Sequence, residues 1–194
     1  MTSRKKEWRR RVLAARRALS PDVRAARAAA LAVQVPRLAD GVTGPVCAYL
    51  PVGTEPGSSA WVDALRDAGH EVLLPVVAGP NSPLDWARYE GPGALRAGPF
   101  GLSEPDTPRL GPEAIGRASL VLVPALAADR SGVRLGRGAG HYDRTLPLAA
   151  ATARFVVVLY PEELVDELPA EPHDQRVHAA LLAGVGVTPL GGDA

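Results

Sequence analysis

The sequence predicts an α/β protein, a mostly parallel sheet sandwiched by helices. Three observations carry this. Apolar strand-like runs alternate with helical patterns along most of the chain. Several of those runs, such as Val46 to Leu50 and Phe155 to Tyr160, are apolar at consecutive positions, as strands covered on both faces are. The 194 residues, 46% hydrophobic and 22% charged, suit one core-forming domain over residues 1–194, with no internal repeat.

Ser3 to Leu19 reads as a helix. Thr2 or Ser3 caps it, and Trp8, Val12, Ala15 and Leu19 share a face at spacings of 4, 3 and 4. Lys5, Lys6, Arg9, Arg10, Arg11, Arg16 and Arg17 occupy the other faces. Most of these cations are expected in water, with a few reaching an anionic ligand. Ser20-Pro21-Asp22 stops this helix and starts a second, alanine-rich one that runs to Leu38.

Val46 to Leu50 is the first strand, with Cys47 as a core residue. Residues 51–57 then lead to a helix over Ser58 to Ala68. Glu55 therefore lies just past a strand's C-terminal end, where open α/β sheets bind ligands. It reads equally as a helix-entry acid facing water. Strands follow at Glu71 to Val77 and Leu84 to Tyr89. The Gly- and Pro-rich stretch Glu90 to Pro112 reads as a long ordered loop. A fourth strand, Ser119 to Val123, feeds the turn Asp129-Arg130-Ser131-Gly132. A helix is expected over Gly140 to Ala150, a fifth strand over Phe155 to Tyr160, a short helix over Pro161 to Leu164, and an edge strand over Val185 to Pro189.

Composition bounds the function. The single cysteine excludes an internal disulfide and fits a reducing compartment. No apolar run approaches the ~20 residues of a membrane span. The basic N-terminus lacks the apolar stretch of a signal peptide, so a cytoplasmic location without membrane association is expected. Residues 1–27 hold ten of the 22 basic residues and two of the 21 acidic ones, which makes a cationic element on an acidic body. Without aromatic interleaving or a recognisable motif, that element is not expected to bind nucleic acid.

The chemistry concentrates after the fourth strand. Arg134 and Arg137 lie among Gly136, Gly138 and Gly140, ahead of a helix start at His141-Tyr142-Asp143. Small residues let backbone N–H groups approach an anion, and arginine forks add fixed charge. The spacing fits neither a Walker A loop nor a dinucleotide fingerprint. Asp143 and Asp174 suit a Mg²⁺ ion on nucleotide phosphates, or serve as a helix-start charge and a turn residue. His141, His173 and His178 show no transition-metal spacing, and no covalent nucleophile is indicated.

These segments together resemble the 5-formyltetrahydrofolate cyclo-ligase family, whose members are also called 5,10-methenyltetrahydrofolate synthetases. The matches, in order, are Lys5-Lys6-Glu7-Trp8-Arg9 with Ser20-Pro21; Tyr49-Leu50-Pro51 through Glu55-Pro56; Val123 through Asp143; and Glu171-Pro172-His173-Asp174. The resemblance implies a fold of the sugar-phosphate isomerase and CoA-transferase type. It also implies MgATP-dependent cyclisation of 5-formyltetrahydrofolate to 5,10-methenyltetrahydrofolate, with ADP and phosphate released through a phosphorylated formyl intermediate. Carried over by position, Lys5, Lys6, Arg9 and the stretch Arg134, Leu135, Gly136, Arg137, Gly138, Ala139, Gly140, His141 and Tyr142 meet ATP. Leu50, Glu55 and Arg137, Gly138, Ala139, Gly140 and His141 meet the folate. Arg137, His141 and Tyr142 are the catalytic set, and Asp143 and Asp174 hold Mg²⁺. A monomer or weak dimer is expected. The chain departs from the family at His141, where a tyrosine is usual, at Ala128, where phenylalanine is, and at Trp8, where leucine is. Two alternatives follow: a folate- or nucleotide-binding protein with weak or lost catalysis, and a sugar-phosphate isomerase-like enzyme.

Overall fold

A computed structural model describes residues 3–172 and 174–191. Thr2 and His173, named above, lie outside them. The elements in order are helices α1 (Ser3–Ala18) and α2 (Pro21–Leu38), strand β1 (Val46–Cys47), helix α3 (Ala60–Asp67), and strands β2 (Val72–Val76), β3 (Asp85–Arg88), β4 (Leu95–Ala97), β5 (Ser103–Pro105), β6 (Leu120–Pro124), β7 (Ala127–Asp129) and β8 (Arg134–Leu135). Helix α4 (His141–Thr145) and strands β9 (Arg154–Leu159), β10 (Leu164–Val165), β11 (Ala179–Leu182) and β12 (Gly186–Pro189) complete the chain.

The main sheet has the order β12-β11-β9-β6-β1-β2-β3. Its five central strands are parallel, and the edge strands β3 and β12 run antiparallel to their neighbours. Alternation along each central strand splits the core in two. Val46, Val72, Leu74, Leu120, Leu122, Val156 and Val158 pack on one face with Leu31 and Val35 of α2 and Trp61 and Leu65 of α3. Cys47, Leu73, Val121, Val123, Val157 and Leu159 pack on the other with Ile115 and Leu146. The predicted α/β sandwich is therefore observed, with Cys47 fully buried.

Several boundaries differ from expectation. The pairing of β1 reaches only Cys47, plus the Ala48 N–H bond to Leu73 O (2.9 Å), because the chain then leaves the sheet to form the turn carrying Glu55. Helix α4 ends at Thr145 rather than at residue 150. Pro147 cannot donate to Asp143 O, and the chain tightens into a 3₁₀ turn at Leu146–Leu148. The long loop contains the β4–β5 hairpin, pinned by buried Glu104, whose Oε1 accepts from Val77 N–H (2.9 Å). Strand β11 escaped the sequence reading. It is four fully buried residues, Ala-Ala-Leu-Leu, with neither β-branching nor alternation to mark it.

The turn at 129–132 forms as read. The Asp129 carboxylate is buried and accepts from Ser131 N–H and Oγ–H, Val133 N–H and Leu168 N–H. This locks the β7–β8 hairpin and joins it to the segment before Asp174.

Helix α1 corrects one expectation. Its inward side carries Lys5, Val12 and Arg16, all buried, while Ala15 is exposed. Two cations thus take positions that a purely apolar stripe would fill. Carboxylates facing them from the C-terminal third of the chain make this tolerable.

Candidate functional site

β6 lies on one side of β1 and β2 on the other, so the sheet's topological switch falls between β1 and β6. Crevices outside the carboxyl ends of strands at such a switch are where open α/β sheets take ligands. The turn after β1 and the β7–β8 hairpin with its glycine-rich extension both emerge there.

Glu55 spans this switch. Its Oε2 accepts from Val52 N–H (2.9 Å), which closes its own turn. Its Oε1 lies 3.0 Å from Arg137 Nε, and Arg137 Nη2 also donates to Val52 O (3.4 Å). The Glu55 side chain is only 11% exposed. Of its two readings, the helix-entry acid facing water fails, since the carboxylate faces the glycine-rich loop. Leu50, half-buried, packs on the first core cluster.

The loop itself needs its glycines at two places. Gly138 has φ 108° and Gly140 has φ 68°, and a Cβ on Gly140 would approach Arg144 Nη1 to 2.8 Å. Among the described residues, no backbone carbonyl accepts from the N–H groups of 136–140. They remain available to an anion at the mouth of the switch.

On either side of the loop, cations meet carboxylates. Arg134 is buried, with Nη2 2.6 Å from Asp143 Oδ1 and its Nε lacking a partner among the described residues. Burial pulls its pKa down, against the raising effect of Asp143. Asp143 Oδ1 also accepts from Gln175 N–H (3.4 Å), which brings the Asp174 segment alongside. Asp174 is held by Lys5, whose Nζ donates to Oδ1 (3.0 Å) and Oδ2 (2.7 Å) and to Glu171 Oε2 (2.8 Å). Burial would lower the Lys5 pKa, but the bonds to Asp174 and Glu171 outweigh it and the net direction is up. A cavity of about 330 Å³ opens here, lined by Val133, Ala170, Glu171, Pro172, Asp174 and Arg176.

Helix α1 is pinned along its length. Arg9 Nε donates to Gly136 O (2.8 Å), bringing the helix to the loop. Arg16 makes a two-pronged pair with Glu163, at 2.6 and 2.8 Å, and donates to Ala125 O (2.8 Å). Lys6 is exposed. At the other end of the loop, His141 Nδ1 lies 3.2 Å from Ser82 O. A carbonyl only accepts, so the Nδ1–H form is the one that fits. Arg144 Nε donates to the same carbonyl (3.3 Å). The Tyr142 hydroxyl is buried without a partner among the described residues, and burial pushes its pKa up.

Lys5, Arg9, Glu55, Arg134, Arg137, Asp143 and Asp174 are thus brought to one edge of the sheet, while Lys6 is not. The sequence reading missed Glu171, Ser82 and the Arg16–Glu163 pair. Arg16 had a signal, since it lies four residues after Val12 on the stripe that buries Val12. Ser82 had none. Asp143 and Asp174, with side chains 23% and 11% exposed, offer hard oxygens beside a cavity. Among the described residues, no three His, Cys, Asp or Glu side chains converge as a metal cage. This donor set suits an ion that takes one or two protein carboxylates and completes its shell from phosphate and water, as Mg²⁺ does. Among the described residues, no helix is long and apolar enough to cross a membrane.

Comparison with known proteins gives consistent relatives. The model of the 5-formyltetrahydrofolate cyclo-ligase family matches residues 1–183. A 5-formyltetrahydrofolate cyclo-ligase of Mycolicibacterium smegmatis is 55% identical over 149 residues, which is 75% of this chain and 76% of that one. Among solved structures, the 5,10-methenyltetrahydrofolate synthetase of Aquifex aeolicus superimposes with a TM-score of 0.76 at 28% identity, covering 98% of this chain and 94% of the other. The 5,10-methenyltetrahydrofolate synthetase of Mycoplasma pneumoniae, at 18% identity, shares the fold with a TM-score of 0.70, covering 91% of this chain and 96% of that one.

Proposed function

The chain belongs to the 5-formyltetrahydrofolate cyclo-ligase family, and from that membership and the site's geometry we propose that it is an enzyme converting 5-formyltetrahydrofolate to 5,10-methenyltetrahydrofolate at the expense of MgATP. The formyl oxygen attacks the γ-phosphorus and ADP leaves. N10 then attacks the activated carbon, the C–O bond breaks, phosphate departs and N10 loses its proton. Such chemistry asks for positioning and charge stabilisation rather than a protein nucleophile.

The observation that carries this reading is the set of ion pairs at the carboxyl edge. Lys5–Asp174, Arg134–Asp143 and Arg137–Glu55 place the cations expected to meet nucleotide phosphates against the carboxylates expected to meet metal and folate. Lys5, Arg9 and residues 134–142 bind ATP, with the backbone N–H groups of 136–140 on its phosphates. Leu50 and Glu55 bind the folate. Arg137 sits between the two ligands, its guanidinium placed to neutralise charge as the phosphoryl group transfers. His141 and Tyr142 complete the wall beside it. Asp143 and Asp174 would hold Mg²⁺, which supplies charge neutralisation on the phosphates. The protein acts in the cytoplasm as a monomer or weak dimer, and its architecture is of the sugar-phosphate isomerase and CoA-transferase type.

Purified protein with MgATP and 5-formyltetrahydrofolate is expected to generate the ultraviolet chromophore of the methenyl product. No signal at high enzyme concentration would remove the catalytic reading. Asp143→Asn shifts the Mg²⁺ dependence of turnover upward. A variant with wild-type rates at limiting Mg²⁺ would remove Asp143 from the metal.

A further inference from the structure

An ammonium group has three donors, and all three of Lys5's go to two carboxylates, Glu171 and Asp174. The lysine side chain is 5% exposed, so this is a built contact and not a surface encounter. Both oxygens of Asp174 face the ammonium, and Oδ2 accepts Glu171 N–H (2.7 Å) as well. On the proposed function, the carboxylate that would hold the metal is thus covered by the cation that would hold the nucleotide. A divalent ion on Asp174 would repel the ammonium beside it, so Lys5 has to give up Asp174 when the metal arrives.

The helix backbone is poorly placed to make that adjustment. α1 is fixed further along by Arg9 on Gly136 O and by Arg16 on Glu163 and Ala125 O. The Lys5 side chain has to turn by itself, and Glu171 is the partner that remains to guide it. The Glu171 side chain is 27% exposed and lines the 330 Å³ cavity together with Asp174 and Arg176. An ammonium kept on Glu171 but released by Asp174 has two donors to offer to whatever enters that cavity.

We propose that Glu171 is a positioning residue for Lys5, holding its ammonium at the cavity rim as Asp174 passes to the metal, so that the cation is delivered to the nucleotide's phosphates. This rests on the MgATP reading above. It makes one lysine serve in turn as counter-ion of Asp174 and as phosphate ligand. Neither Mg²⁺ alone nor ATP alone then meets a ready site, since each must break the lysine–carboxylate contact without the other's help.

The test is a double-mutant cycle read by calorimetry without folate. MgATP, and separately Mg²⁺ alone, are titrated into wild type, Glu171→Gln, Lys5→Met and the double variant, with melting temperatures measured beside them. Glu171→Gln is expected to weaken MgATP about tenfold, the scale of one charge-assisted hydrogen bond. In the Lys5→Met background the same change has no further effect. Mg²⁺ alone binds Lys5→Met more tightly than wild type, because the competing cation is gone. Glu171→Asp, which keeps the charge, recovers part of the affinity. Wild-type MgATP affinity in Glu171→Gln would overturn the proposal, as would an effect that persists in full without Lys5, since Glu171 would then touch the ligand directly. Wild type that takes no MgATP here, but takes 5-formyltetrahydrofolate in a separate titration, would bring down the nucleotide reading itself, and this proposal with it.

Discussion

Glu163→Ala should be among the most damaging single changes away from the ligands. It strips Arg16 of both carboxylate bonds, leaving its guanidinium with Ala125 O, the face of Tyr160 at 5.8 Å, and an Nη1 already without a partner among the described residues. It also frees the Tyr160 N–H that Glu163 caps. Side-chain exposures of 1% and 7% make this a buried pair, and removing one member of such a pair costs roughly 3–5 kcal/mol. The low end applies here, because a cavity of about 260 Å³ lined by Trp8, Arg16, Tyr160 and Glu163 admits water to the stranded charge. For a chain of this length, about 3 kcal/mol corresponds to a melting temperature lower by roughly 6–12 °C. The double change Arg16→Met with Glu163→Leu replaces the pair by apolar groups of similar size and should recover most of the loss. Urea unfolding of wild type and the two variants measures the free energies, and thermal melting the temperature shift. A single variant that loses less than about 1 kcal/mol, or a double variant as unstable as the single, would refute the view that the charge itself is the cost.

Glu55→Gln separates binding from folding. Its partner Arg137 is 52% exposed, so the pair contributes at most about 1 kcal/mol to stability, while KM for the folate rises about tenfold. An unchanged KM would take Glu55 out of the folate site. Tyr142→Phe removes a buried hydroxyl that has no partner among the described residues, so melting should be unchanged or slightly higher while kcat falls. Wild-type kcat would remove Tyr142 from the catalytic set. The contact of Lys5 with Glu171 also gives a pH window. The raised Lys5 pKa means its stabilisation is complete below the ordinary lysine value of about 10.4 and is lost as pH rises through the folded value. The lowered Glu171 pKa, set mainly by its bond to Lys5, means its stabilisation is complete above about 4.3 and is lost as pH falls through the folded value. The stability difference between wild type and Lys5→Met should therefore be flat at neutral pH and shrink toward both extremes. A difference that grows at high pH would contradict the assignment.

The central strands were legible because consecutive apolar residues have few other uses, and the Ser20-Pro21-Asp22 start was legible because capping is local chemistry. Ser20 Oγ does accept from Val23 N–H (3.2 Å). The glycine-rich loop and Glu55 were both placed at strand ends from order alone, but nothing local said that Arg137 would meet Glu55. That contact depends on which strands are neighbours, and β1 beside β6 is a property of the whole sheet. Strand β11 failed for the opposite reason. Two alanines and two leucines have no strand preference of their own, and only pairing with β9 on one side and β12 on the other makes them one. The inward cations of α1 are hidden from a reading of the sequence because charge is ordinarily a sign of exposure. Their partners lie so far along the chain that no window of sequence contains both.

That distance bears on how the chain comes together during synthesis. Helix α1 leaves the ribosome ahead of the sheet it docks on, yet the groups that fasten it arrive late. They are Ala125, Gly136, Glu163, and finally Glu171 and Asp174, separated from their partners by 109, 127, 147, 166 and 169 residues. Until most of the polypeptide has emerged, its basic first turns have nothing of their own to dock on. The helix is then the closing step of assembly, added to a sheet that has already formed, because contacts of long sequence separation form late. A nascent chain halted shortly before Glu163 should accordingly carry a protease-sensitive helix α1, and one released past Asp174 a protected one.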